Sequence, residues 1–168
     1  MHGANMATAV TERHGRVPLR EQVEQVLERL SRRLVTHAPA AADSRNGGPA
    51  SAELLAMQRN VRFLGQLTAA WASLPAEALP AVGAGFGSTV DVEDVEDGTR
   101  ATYTLMAGPV IDIDADQVSL ASPVGQALLG ARPGDTVTVE APLRRRRLRV
   151  HGVRTLQDRI REVMWAGP

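Results

Sequence analysis

One change of apolar period governs what this chain can fold into. Up to Leu74 apolar residues recur at steps of three and four, and from Thr89 they alternate at two, so a helical segment must precede a sheet segment. Leu19, Val23, Val26, Leu27, Leu30 and Leu34 form the first helical stripe. Pro18 opens it, because a missing N–H is harmless at a helix start. Glu21, Glu24 and Glu28 lie toward its N-terminal half and Arg29, Arg32 and Arg33 toward its C-terminal half, as the helix macrodipole favours. The pattern predicts an end before Pro39. Residues 38–50 hold Pro, Gly, Asn and Asp without an apolar period and read as a turn. Ser51 is the expected N-cap of a second helix, which carries Leu54, Met57, Val61, Leu64, Leu67 and Trp71 toward Leu74 before Pro75 and Pro80 stop it. Two such stripes satisfy each other in an antiparallel helical hairpin, a coiled-coil finger; a compact helical domain would also bury them.

In the second half, Thr89 to Glu93 and Ala101 to Met106 alternate and are joined by Glu96-Asp97-Gly98 in the manner of a β-hairpin. Val118 to Leu120 predicts a third short strand, and Val124 to Leu129 a brief helix entered through Ser122-Pro123 and left at Gly130. Pro133-Gly134-Asp135 turns the chain into Val137-Thr138-Val139, and Leu143 to Val153 forms the last strand. Thr155 to Trp165 adds a final helix. The expected fold class is α+β. The segments are a mobile leader over 1–17, the helical hairpin over 18–74, a linker over 75–84, the sheet domain over 85–154 and a C-terminal helical extension over 155–168.

Composition removes several kinds of chemistry. The 168 residues contain no Cys, so disulfides, thiolate metal sites and Cys nucleophiles are excluded. His2, His14, His37 and His151 are scattered, which disfavours a histidine metal site. No run approaches the ~20 apolar residues of a membrane helix, and a secretory signal is missing from the first residues, so the expected location is cytoplasmic, with no membrane partner. Gly83-Ala84-Gly85-Phe86-Gly87 looks like a phosphate loop, but it precedes a strand rather than a helix and reads as a flexible approach to the sheet. Without GxSxG, HExxH or Walker patterns, a self-contained enzyme is not supported.

Nineteen basic residues, all Arg, balance nineteen acidic ones, so charge can act only locally. Asp91, Glu93, Asp94, Glu96, Asp97, Asp112, Asp114 and Asp116 crowd one stretch, whereas Arg144, Arg145, Arg146, Arg147 and Arg149 crowd one strand. Strand alternation puts Arg145, Arg147 and Arg149 on one side and Arg144, Arg146, Leu148 and Val150 on the other. Such a surface could dock a protein or make weak, salt-sensitive contact with a nucleic-acid backbone. It could equally be an edge strand protected from aggregation and neutralised by the acidic hairpin.

Gly87-Ser88-Thr89-Val90, Tyr103-Thr104-Leu105, Gly108-Pro109, Ser122-Pro123-Val124-Gly125-Gln126-Ala127-Leu128-Leu129-Gly130 and Gly134-Asp135-Thr136-Val137-Thr138-Val139 with Pro142 resemble the C-terminal domain of the Gre transcription factors. Val124 stands where that family usually has Leu. The resemblance implies an FKBP-like domain that docks, as a monomer, on the rim of the RNA polymerase secondary channel while a coiled-coil finger enters the channel. By carry-over, the docking surface includes Ser122, Pro123, Val124 and Gly125.

Transcript-cleavage members carry paired acids at the finger tip, which help the polymerase hold a second Mg²⁺ and activate water. The corresponding tip here is Asp43, Ser44, Arg45 and Asn46; Asp43 has no acidic neighbour, and Arg45 brings a positive charge that opposes metal recruitment. Glu53, the next acid, is expected in the first turn of helix 2, where a carboxylate suits the dipole. Asp43 and Glu53 are the only candidate tip acids. The expectation is a regulator with no cofactor of its own, beyond indirect contact with the polymerase Mg²⁺, which modulates or inhibits transcription without stimulating cleavage. A cleavage factor rescuing backtracked polymerase and an Rnk-like polymerase-binding regulator are the alternatives. Peptidyl-prolyl isomerase activity is disfavoured, because only Phe86, Tyr103 and Trp165 could furnish an aromatic pocket.

Overall fold

The structure, a computed structural model, describes residues 18–42, 49–74, 78–80, 82–108, 111–112, 115–142 and 144–165. The expected leader therefore lies outside the described residues. By their contacts, Ser73–Arg159 form one unit and Val17–Ala72 with Ile160–Pro168 another. The chain is α+β.

In the helical unit, α1 spans Leu19–Ala42 and α2 spans Pro49–Ala70, 24 and 22 residues that run roughly 36 Å and 33 Å at ~1.5 Å per residue. The two pack against each other. Val23, Val26 and Leu30 are buried on α1, and Met57, Phe63, Leu64, Leu67 and Ala70 on α2. Phe63 lay outside the predicted stripe, and Leu54, Val61 and Trp71 are only half-buried. The outer face of α1 is laced by pairs one turn apart, Arg20 with Glu24 and Arg32 with Glu28.

Two helix boundaries differ from expectation. α1 does not stop before Pro39; it continues to Ala42. A proline there deprives only the Val35 carbonyl of its amide donor, and Val35 is 77% exposed, so water can replace it, while three alanines carry the helix on. Arg29, Arg32 and Arg33 are consequently mid-helix, and no basic residue occupies the last turn. Ser51 is not the N-cap of α2, because Pro49 already takes the first helical position, where its missing N–H costs nothing. Trp71 belongs to a 3-10 turn, Trp71–Ser73.

The other unit is a five-stranded sheet of order β3-β2-β1-β5-β4, with β1 Thr89–Asp94, β2 Arg100–Met106, β3 Gln117–Ser119, β4 Thr136–Ala141 and β5 Arg144–Arg154. All neighbours are antiparallel except β2 and β3, which run parallel with Leu105 opposite Val118. The short helix α3, Pro123–Leu128, packs on β3 and β4. It helps close a core of Val90, Val92, Leu105, Val139, Leu148 and Val150 with Leu128, Ala84 and Ala131. A final helix, α4, covers Leu156–Trp165. Asp158 closes its start, accepting from the Thr155 amide at 3.0 Å while Thr155 Oγ1 accepts from the Asp158 amide at 3.2 Å.

Three expectations need correction. β5 is not an edge strand, since it lies between β1 and β4 with ladder bonds on both sides. Its alternation is also broken: Asp91 faces Gly152 and Val92 faces Val150, so His151 is the extra residue of a bulge and Val153, rather than Gly152, turns to the core. Finally, Gly83 to Gly87 is a packed crossing rather than a flexible approach. The Ala84 amide donates to Ala131 at 2.8 Å, Gly130 donates to the Ala84 carbonyl at 2.7 Å, and Phe86 donates to Ala78 at 2.6 Å. A Cβ on Gly83, whose φ is +90°, would lie 2.3 Å from the Gly130 carbonyl oxygen, so backbone meets backbone where no side chain fits.

Candidate functional site

The segment from Ser119 to Gly130 is built by local polar bonding. Ser122 caps α3: its Oγ accepts from the Gly125 amide at 3.1 Å and donates to the Ser119 carbonyl at 2.6 Å. Ser119 Oγ in turn accepts from the Ala121 amide at 3.1 Å. Pro123 follows the cap at the first helical position. Gly125 is buried, and a Cβ there would sit 2.1 Å from the Ser119 carbonyl oxygen, so a side chain would push the helix off the preceding turn. Val124 and Leu128 point to the core. What remains outside is Ala121, Pro123 and Gln126, a small rigid surface with no acid, base or nucleophile. Of the four residues predicted to dock, Pro123 presents surface, while Ser122, Val124 and Gly125 shape and anchor it.

The basic strand divides as its alternation predicts. Arg145, Arg147 and Arg149 are exposed on the face away from α3. Arg144 and Arg146 do not belong to that basic surface, because they serve the β1–β2 turn. Arg144 comes within 4.0 Å of Asp97, and Arg146 Nε donates to Asp94 Oδ2 at 2.7 Å. Sequence reasoning missed this pair, although parity carries it: Asp94 shares the core-facing phase of Val90 and Val92, and Arg146 that of Leu148 and Val150.

The acids of this hairpin are held ionised. Asp94 is depressed below the usual carboxylate range first by the Glu96 amide, 2.9 Å from its Oδ1, and then by Arg146, whose own pKa is raised by that bond. Glu93 is lowered chiefly by its bond to Arg100 and further by His151. Asp97 is lowered by the hydroxyl and amide of Thr99.

Asp43, Ser44, Arg45 and Asn46 lie outside the described residues. Glu53 is not in the first turn of α2, since the helix begins at Pro49; it is exposed, with Arg33 of α1 3.7 Å away. No group of three or more His, Asp or Glu among the described residues is arranged to hold a metal.

Residues 80–155 match the family described as "Transcription elongation factor, GreA/GreB, C-term". Over these residues the chain is homologous to the Gre factors. It is 47% identical over 68 residues to the transcription elongation factor GreA of Desulfovibrio desulfuricans, covering 40% of this chain and 42% of that one. It is 38% identical over 71 residues to GreA of Ralstonia nicotianae, covering 42% and 45% of the two chains. Among solved structures, GreA factor homolog 1 (Gfh1) of Thermus thermophilus is 25% identical over 80% of this chain and 94% of that one, with a TM-score of 0.38. The chain spans less than half the length of the curated relatives it matches. The Gre match takes in the capped α3 segment, the packed glycine crossing and the whole of the sheet.

Proposed function

We propose that this Gre homologue is a cytoplasmic accessory factor that binds RNA polymerase at its secondary channel and modulates transcription without stimulating transcript cleavage. The sheet unit acts as the FKBP-like docking domain, and Pro123, Ala121 and Gln126 offer its contact surface. The helices α1 and α2 act as the antiparallel finger; their length of 24 and 22 residues favours a channel-entering arm over the stub of an Rnk-like regulator. Any bond breaking belongs to the polymerase.

The observation that carries this reading is a contrast between two segments of the chain. The Ser122 to Gly130 segment is intact, whereas Asp43-Ser44-Arg45-Asn46 offers one carboxylate beside a guanidinium where metal recruitment needs paired acids. Glu53, the next acid, lies ten residues farther on, within α2 and beside Arg33. The test is RNA cleavage in a stalled elongation complex of the cognate polymerase, measured beside nucleotide addition. Slowed addition without cleavage supports the proposal. Accelerated cleavage replaces it with the reading of a cleavage factor that rescues backtracked polymerase, and no effect on either rate overturns both.

A further inference from the structure

On the face of the sheet away from α3, Arg159 Nη1 donates to Thr89 Oγ1 at 3.0 Å and covers that end. Arg154 lies opposite Thr89 in register and is exposed, as are Arg149, Arg147 and Arg145 farther along the strand. Arg145 is engaged by Glu140 at 2.9 Å. Arg147, Arg149 and Arg154 have no carboxylate partner among the described residues. The acid opposite Arg149 in register is Glu93, but its Oε2 is already shared by Arg100 at 3.0 Å and the bulged His151 at 3.1 Å. On the other side, Arg149 and Arg147 face Thr136 and Thr138 of β4, which add hydroxyl donors.

This arrangement has a fixed pitch. Around Arg147 and Arg149 β5 is hydrogen-bonded on both sides, and these two residues, two apart on the strand, are separated by roughly 6.7 Å, close to the spacing of consecutive phosphates along a nucleic-acid strand, while Arg154 stands apart beyond the His151 bulge. Guanidinium groups match phosphate geometry with two parallel donors. The stripe also lacks what a protein partner would use: it exposes no aromatic, Met or Leu anchor, and such anchors dominate protein interfaces. The same lack of aromatics removes base stacking.

We propose that Arg147, Arg149 and Arg154, with Thr136 and Thr138, bind the phosphate backbone of a nucleic-acid strand without reading its sequence. The inference stands apart from the polymerase-docking reading, which uses the α3 segment. With three cations neutralising phosphates, log K falls against log salt with a slope of about −2 to −3.

The experiment is fluorescence anisotropy of the full chain with labelled single-stranded and duplex oligonucleotides of unrelated sequence, titrated across salt. Sequence-independent binding with that slope is expected for at least one form. The triple variant R147A/R149A/R154A, and separately Arg149→Glu in case the triple variant fails to fold, should weaken binding at least tenfold and flatten the slope. The corresponding triple Lys variant should retain salt-dependent binding, because charge is preserved. R20A/R32A, which removes exposed helix charges, should bind as the parent does. Absence of binding at low salt, loss of binding only in R20A/R32A, or displacement of the oligonucleotide by polyglutamate at equal charge concentration would each overturn the proposal. The last result would redirect it to an acidic protein.

Discussion

Arg146 Nε donates to Asp94 Oδ2 at 2.7 Å, and the Asp94 side chain is wholly enclosed while a third of Arg146 remains exposed. The other carboxylate oxygen, Oδ1, accepts from the Glu96 amide at 2.9 Å. One ion pair thereby fastens the β1–β2 turn to β5. Removing the guanidinium strands an enclosed carboxylate, whereas the outward Arg145–Glu140 pair is solvated on both sides. Arg146→Ala should lower the melting temperature by about 5–10 °C and Arg145→Ala by no more than about 2 °C. Thermal unfolding followed by circular dichroism compares them, and equal effects would refute the fastening role.

The depressed carboxylates also set an acid limb. Asp94, Glu93 and Asp97 have folded values below their ordinary ones, so their contribution to stability is fully present above the ordinary carboxylate range and is lost as pH falls through the folded values. The melting temperature should hold from neutrality to about pH 5 and then fall. In Asp94→Asn the fall should be shallower, with a lower plateau. An unchanged acid limb in that variant would remove Asp94 from the account.

Gly125 and Gly130 separate steric fit from backbone conformation. A Cβ at Gly125 meets the Ser119 carbonyl oxygen at 2.1 Å, whereas one at Gly130 meets nothing within 4 Å, although φ there is +79°. Gly125→Ala should destabilise by about 3 kcal/mol or more through overpacking, and Gly130→Ala by about 1–2 kcal/mol through left-handed strain alone. Urea unfolding of the two variants should preserve this order.

Surface and cap within the α3 segment should also come apart. Ser122→Ala removes a capping oxygen and should cost about 1 kcal/mol of stability. Pro123→Glu leaves the cap in place but puts a charge on the exposed surface, and should weaken polymerase binding about tenfold or more with little change in melting temperature. Co-sedimentation with the cognate polymerase measures the binding; undiminished capture of Pro123→Glu would move the docking surface elsewhere.

Between α1 and α2, the solvated contact between Arg33 and Glu53 at 3.7 Å should contribute at most ~1 kcal/mol. Asp43→Ala with Glu53→Ala should therefore leave both folding and the rate of transcript cleavage in stalled complexes unchanged. A slower cleavage rate in the double variant would identify these carboxylates as working ligands.

Much of this architecture is legible in the order of residues. Local patterns place both long helices, the acidic hairpin, the α3 cap at Ser122 and the split of the arginines between two faces, because each depends on neighbours within a few positions. Features that depend on distant partners are not legible in the same way. The sequence pattern does not reveal that β5 is flanked on both sides, that His151 is spent in a bulge, or that β3 runs parallel to β2, since strand order is decided by packing. Pro39 misleads for a related reason: its cost depends on whether the orphaned Val35 carbonyl faces water. Gly83 looks flexible in isolation and is fixed by a loop almost fifty residues away. The Ser122–Gly125 motif is visible as a pattern, but only the geometry separates exposed Pro123 from the enclosed Gly125.

The glycine crossing also decides where the sheet unit can be cut. A fragment beginning at Gly87, where the alternating pattern approaches, would lose the Ala84 bonds to Ala131 and Gly130 and the Phe86 bond to Ala78, along with the buried side chains of Ala78, Ala84 and Phe86. The loop that ends α3 would then fray into solvent. All three bonds reach back no farther than Ala78, so a cut that keeps the crossing intact falls at least eleven residues before the first strand.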